Sequence, residues 1–366
     1  MPMAPITRIA LASGLALAAV ACDGCEASPS RSSTDAGDGP DVAILDDGGT
    51  DAGSPGDSSA PCESSFRVTS GCVHPSVSPN CSLGFCKIPS GCFVSGSPSC
   101  QAWRGANTER ETQVTLTHAF EIAEHETTQA EWTEMGFPNP SVGPRPTIPT
   151  DVGSCLEPTC PVAQVSWFEA LAYANARSNA HVPMLPACYE LQGCTGGAVG
   201  SASMSCTGVR QTTPSIYDCD GYRLPTDAEW EYAARAGART PYYSGPMLST
   251  SNRCEEEAAL SGVAWYCSNF VNRSTSPVGR KAPNGWGLFD MLGNEAELAS
   301  DEYTGLPPSD VVLVDPGSRL GTRPERPKRG GSILGWPNVT TVSYRLGRNW
   351  NDRDSTLGFR LVRTLK

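Results

Sequence analysis

Cysteine is the residue type with the widest chemical range in this chain. A thiolate can bind a soft metal, exchange disulfides or take a lipid, and position and neighbours decide which. Of the sixteen cysteines, Cys22 directly follows the small residues Ala19-Val20-Ala21. That arrangement resembles a lipobox, in which the thiol becomes a diacylglyceryl thioether and cleavage leaves the acylated cysteine first. Ala19 stands where leucine is commoner and Cys25 lies close by, so plain secretion is the alternative. With Cys22 and Cys25 set aside, fourteen remain: Cys62, Cys72, Cys81, Cys86, Cys92, Cys100, Cys155, Cys160, Cys188, Cys194, Cys206, Cys219, Cys254 and Cys267. None of these is spaced Cys-x-x-Cys, which favours a disulfide framework over zinc. Proximity suggests bridges from Cys155 to Cys160 and from Cys254 to Cys267, and leaves the other pairings open. The four histidines, His74, His118, His125 and His181, form no closely spaced set with carboxylates at a helical interval. They read as ordinary surface or core residues.

The elements around these residues begin with an export signal. Residues 1–21 carry one charge, Arg8, then an apolar run from Ile9 to Val20. The run is shorter than the roughly 20 residues a membrane-spanning helix needs, and it reads as a signal peptide. Residues 22–61 form an acidic tether rich in Ser, Gly, Asp, Ala and Pro. Nine carboxylates against the single Arg31 give this segment −8 of the formal −12 carried by the chain. It has too little apolar surface to offset the entropy of ordering. The acidic balance excludes nucleic acid as a partner. These features place the chain in the cell envelope, lipid-anchored to a membrane outside the cytoplasm.

Residues 62–85 form a cysteine-rich extension and residues 86–366 the main domain. Alternating apolar residues predict strands over 88–96 and 113–122, and a last one over 357–362. Ser166-Trp-Phe-Glu169 and Thr226-Asp-Ala-Glu229 are capping boxes that open two helices. The first would bury Trp167, Ala170, Leu171 and Ala174, the second Trp230, Ala233 and Ala234. The long loop over 180–221 contains four cysteines. The pattern is that of an α+β domain with long, disulfide-tied loops.

Taken in order, the motifs resemble the formylglycine-generating enzyme, or sulfatase-modifying factor, family, whose fold is C-type-lectin-like. They are Ile88-Pro-Ser-Gly-Cys-Phe-Val-Ser-Gly-Ser-Pro98, Glu126-Thr-Thr-Gln129, Pro161-Val-Ala-Gln-Val-Ser-Trp167, the run from Tyr222 to Gly237, the run from Pro283 to Asn294, Arg329-Gly-Gly-Ser332 and Leu357-Gly-Phe-Arg360. The resemblance implies copper(I) held by two cysteines three and eight residues after the serine of Gly-Gly-Ser. Here those positions are Gly335 and Thr340, and no cysteine follows Cys267. Copper is therefore not expected, and no catalytic residue is assigned. Iron-binding relatives use histidine clusters that this chain lacks. The resemblance also implies a structural calcium ion, held by the carbonyls of Asp290, Gly293 and Glu295 and the carboxylate of Glu297. The family's two tryptophans in this loop are replaced in Gly293-Asn-Glu-Ala-Glu-Leu298. Near the family's substrate groove, Trp336, Trp350 and Tyr344 suit contact with a peptide or glycan.

Three readings follow. The chain is a binding module that engages an envelope protein, peptide or glycan, a divergent oxidoreductase of the family, or a structural envelope component. The absent copper ligands favour the first.

Overall fold

The computed structural model describes Cys62 and residues 64–105, 108–141, 153–201, 203–249, 253–272, 274–305 and 311–366. The leader, Cys22, Cys25 and the tether lie outside the described residues. No helix of the described residues is long and apolar enough to cross a membrane.

The extension contributes β1 (Cys81–Ser82), which pairs antiparallel with β2 (Phe85–Ile88). The strand expected over 88–96 is two strands. Pro89 withdraws a backbone donor, so β2 ends and β3 (Gly91–Ser95) starts in a different sheet. The run over 113–122 divides likewise into β4 (Thr112–Leu116) and β5 (Phe120–Ala123). Between them the backbone N–H of Thr117 leaves the ladder and donates to the Asp315 carboxylate at 2.7 Å.

Both expected helices form where their caps predict. After the short α1 (Gln129–Glu134), α2 (Trp167–Ala180) starts at Ser166, with the reciprocal Glu169 bonds in place. It buries Trp167, Phe168, Ala170, Leu171 and Ala174. The long loop then carries a hairpin of β6 (Tyr189–Gln192) and β7 (Gly208–Gln211). α3 (Asp227–Arg235) starts at Thr226 and ends where Ala236 and Gly237 take left-handed backbone conformations. Beyond the single turn of α4 (Ala258–Ser261), the chain is loop and short strand: β8 (Ala296–Leu298), β9 (Val312–Val314), β10 (Glu325–Arg329), β11 (Arg345–Asn349), β12 (Leu357–Gly358) and β13 (Val362–Thr364).

Chain-distant strands meet in the sheets. One sheet has the order β1-β2-β5-β13, so the last strand joins the sheet of the first two by pairing with β5. A second, β11-β10-β8-β12, contains the parallel pair β8–β12, and a third, β3-β4-β9, places β9 parallel to β4. Two apolar clusters hold the layers together. Trp230, Tyr232, Ile88, Phe120, Ile122 and Trp286 belong to one, and Trp132, Trp167, Phe168, Leu171 and Phe359 to the other. Each such side chain contributes on the order of 1.5–3 kcal/mol by leaving water. Ala296 and Leu298, where the family has tryptophan, are buried in the second cluster.

Seven disulfides pair all fourteen cysteines of the described domain. Cys155–Cys160 and Cys254–Cys267 are the two bridges that proximity suggested. Cys62–Cys100, Cys72–Cys92 and Cys81–Cys86 fasten the extension to the strands behind it. Cys188–Cys219 closes the long loop, and Cys194–Cys206 lies within it.

Candidate functional site

The Gly-Gly-Ser turn after β10 is built for close approach. Gly330 and Gly331 have φ of +84° and +72°, and a Cβ on Gly331 would lie 2.8 Å from the Thr340 hydroxyl. Glycine is the residue that meets both demands. From Ser332 the chain turns back on itself, Gly335 N donating to the Ser332 carbonyl at 2.7 Å. Thr340, fully buried, donates its hydroxyl to the Trp336 carbonyl at 2.9 Å. A Cβ on Gly335 would come 2.5 Å from the Thr340 Oγ1. The fold thus brings together the two positions to which the resemblance assigns copper, but it presents there a bare backbone and a hydroxyl already donating. Copper(I) favours soft thiolates, and this donor set does not fit it. The neighbouring Cys267 donates its N–H to the Gly335 carbonyl at 3.2 Å, and its sulfur is bonded to Cys254.

The acidic loop after Phe289 runs through the interior. Glu297 is enclosed: Arg360 reaches its two oxygens at 2.7 Å each, and Trp230 Nε1 donates to it at 2.9 Å. Asp290 accepts from the Gly279 backbone through Oδ2 and leaves Oδ1 without a partner. Glu295 is 1% exposed, with neither carboxylate oxygen hydrogen-bonded. Glu126, in the bend between β5 and α1, accepts from Glu295 N at 2.9 Å and Asn294 Nδ2 at 2.8 Å. Burial, then the charges of Asp290 and Glu295, push its carboxyl well above the usual range. Burial also raises Glu295, followed by the charges of Asp354 and Glu297.

Calcium prefers oxygens that are not already engaged. In this loop the carboxylate oxygens free of partners belong to Glu295 and Asp290, whereas Glu297 is committed to Arg360. Among the described residues, no three of these carboxylates lie within 4.8 Å of one another. An ion here would therefore rest mainly on backbone carbonyls. Sequence reasoning did not single out Glu126 or the Glu297–Arg360 pair. The signals available were Glu126-Thr-Thr-Gln129 and Leu357-Gly-Phe-Arg360, both taken only as fold markers.

The remaining candidates are scattered. His118 lies 3.3 Å from Asp315 and stacks on Tyr217. His74, His125 and His181 each contact a backbone carbonyl through Nδ1. The metal-type group found among the described residues is Cys81, Cys86 and Glu124, whose two sulfurs are bonded to each other. Trp336 is exposed beside Leu334 at the rim of the turn. Trp350 instead packs on Trp167 and Phe168, so it is part of the domain's structure.

An α+β scaffold of short mixed sheets around a Gly-Gly-Ser turn, stapled by disulfides, defines a formylglycine-generating-enzyme-like fold. Residues 79–365 match the sulfatase-modifying factor enzyme 1-like domain, and the chain belongs to that family. A protein of Paenibacillus barcinonensis named chaperone protein LppX is 27% identical over 276 residues, 69% of this chain and 83% of that protein. The formylglycine-generating enzyme of Streptomyces coelicolor is 35% identical over 156 residues, 38% of this chain and 46% of the enzyme. The match thus spans less than half of that enzyme's length. Among solved structures, Treponema denticola variable protein 1 superposes with a TM-score of 0.59 at 25% identity, covering 77% of this chain and 95% of that one. PvdO from Pseudomonas aeruginosa shares the fold, with a TM-score of 0.55 at 22% identity over 80% of this chain and all of its own.

Proposed function

We propose that this chain is an exported, lipid-anchored member of the family whose domain binds an envelope polypeptide or glycan and does not oxidise cysteine. One observation carries the reading. The positions assigned to the copper ligands meet in space as Gly335 and Thr340, and all fourteen cysteines of the described domain are in disulfides. A copper(I) oxidase needs a thiolate pair, and this domain has no thiol left to supply one. A relative matched over 69% of this chain is named a chaperone, an activity that requires protein contact. Trp336 and Leu334 at the rim of the turn offer apolar surface for such contact. Export and anchoring rest on the leader and Cys22, and the paired cysteines suit an oxidising compartment. Calcium would tie the loop from Asp290 to Glu297, with Glu295 as its carboxylate.

The test is a formylglycine assay on the folded chain, loaded with copper and given a Cys-x-Pro-x-Arg peptide, with peptide mass as the readout. No conversion above a no-enzyme control is expected. In the same preparation, a thermally unfolded client protein should aggregate more slowly, and Trp336→Ala should weaken that protection. Conversion of the peptide would overturn the non-catalytic reading.

A further inference from the structure

A cavity of about 350 Å³ opens beside the N-terminal end of α3, between the β3-β4-β9 sheet and residues 301–304 and 316–319. It contains neither Gly335 nor Thr340 and is separate from the site described above. Its volume falls at the lower end of the range for small-molecule sites, roughly 300–1,000 Å³.

The charges around the cavity do not cancel. Asp227 is held by Arg329 at 3.1 Å and Arg345 at 2.7 Å. Glu231 is held by Arg329 at 2.6 Å and Arg235 at 2.7 Å, and Glu302 faces Arg323 at 3.3 Å. Asp301 accepts from the Asp227 backbone at 2.8 Å. Burial first, then the charge of Asp227, raise its carboxyl to about 7, so it carries about half a charge at neutral pH and is largely neutral below it. Two lining cations remain, Arg110 and Arg319. Neither guanidinium has an ion-pair or hydrogen-bond partner among the described residues. Among the described residues, two positive charges thus stand uncompensated at one cavity, although the protein carries a formal charge of −12.

The other walls narrow the ligand. Val114 and Leu313 supply an apolar side, while Thr108 and Thr304 bring hydroxyls to the same space. Among the described residues, no aromatic side chain lines it. We infer that this cavity binds a small hydroxylated carboxylate of uronic-acid type, with Arg110 and Arg319 taking the carboxylate and the threonines the ring hydroxyls. Guanidinium suits this role because its planar fork matches a carboxylate in two parallel hydrogen bonds. The inference concerns a second site, and it stands whether or not the rim around Trp336 binds polypeptide.

Titration calorimetry of the full chain, disulfides intact, with glucuronate as the probe tests it. Glucose, which lacks the carboxylate, and acetate, which lacks the hydroxyls, serve as comparison probes. Saturable one-to-one binding of glucuronate is expected, with glucose and acetate each at least tenfold weaker. Arg110→Gln and Arg319→Gln should each weaken glucuronate at least tenfold, because a lost charged contact is worth about one decade or more. Neither guanidinium bonds another described residue, so both variants should unfold at the wild-type temperature, which separates lost contact from lost fold. Absence of glucuronate binding, equal affinity for glucose, or wild-type affinity in both variants would overturn the inference. Acetate binding as tightly as glucuronate would overturn it too, since the hydroxyl contacts would then contribute nothing.

Discussion

A guanidinium taken out of water requires a carboxylate or a stack of rings in exchange, and among the described residues four arginines are fully buried: Arg223, Arg326, Arg329 and Arg360. Arg223 is matched by Glu229, Arg329 by Glu231 and Asp227, and Arg360 by Glu297. Removing one partner strands the other charge, so Glu297→Gln should destabilise the domain by about 3–5 kcal/mol, read as a shift in urea midpoint. Arg326 differs, lying 4.3 Å from the Trp167 ring centre and 5.3 Å from that of Trp350, with two nitrogens unbonded. Arg326→Met, which keeps the volume and removes the buried charge, should cost less than about 1.5 kcal/mol or stabilise. Asp301 gives a pH signature. Its carboxyl keeps its proton to about pH 7 in the folded state but loses it near pH 4 once unfolded. The unfolded chain binds fewer protons across that window, so this group's contribution to stability falls as pH rises from 4 to 7 and then levels off. Asp301→Asn should therefore lose less stability than the wild type between pH 5 and pH 8 in paired urea titrations. The raised carboxyls of Glu126, Asp290 and Glu295 slope the same way in both proteins and cancel in the comparison. None of this was legible residue by residue. A glutamate in a sequence does not disclose whether its partner is water, calcium or an arginine 63 positions later.

Elements announced themselves where their signal was local. Ser166 with Glu169 and Thr226 with Glu229 mark helix starts because capping depends on residues three apart. Strand ends were harder, since Pro89 and the Asp315 bond to Thr117 divide apolar runs that look continuous in sequence. Bridges between near neighbours such as Cys155 and Cys160 could be anticipated. Cys62–Cys100 and Cys188–Cys219 could not, because they depend on how sheets and loops pack. The Gly-Gly-Ser turn is the least forgiving element. Gly331→Ala meets both a positive φ and the Thr340 hydroxyl, and should cost about 1–3 kcal/mol in thermal unfolding. Alanine at both Cys188 and Cys219 should cost a comparable 2–4 kcal/mol, roughly, by freeing the long loop in the unfolded chain. That pair of changes should leave the turn's contacts intact.

At the level of the whole molecule, motif order alone identified the family fold, because seven short stretches distributed along the domain constrain one another. The cavity beside α3 could not be read this way, since its walls come from sheet, helix and loop residues far apart in the chain. The anchoring proposal has its own test. Cys22→Ser should move the protein from the detergent phase to the aqueous phase in a two-phase extraction of expressing cells, while wild type stays with detergent. Where the extension enters the domain, a mechanical consequence follows. Tension on the chain ahead of Cys62 reaches the Cys62–Cys100 bridge before it reaches any strand, and Cys72–Cys92 and Cys81–Cys86 lie within the loop that this bridge closes. The three bridges are nested, and β1 and β2 lie inside the loop that Cys62–Cys100 closes, so load crosses that bridge to Cys100 and does not peel the ladder of β1, β2, β5 and β13 from its N-terminal edge while the bridge remains oxidised. Stretching a surface to which the domain is fixed would displace it as a unit, with its sheets undistorted.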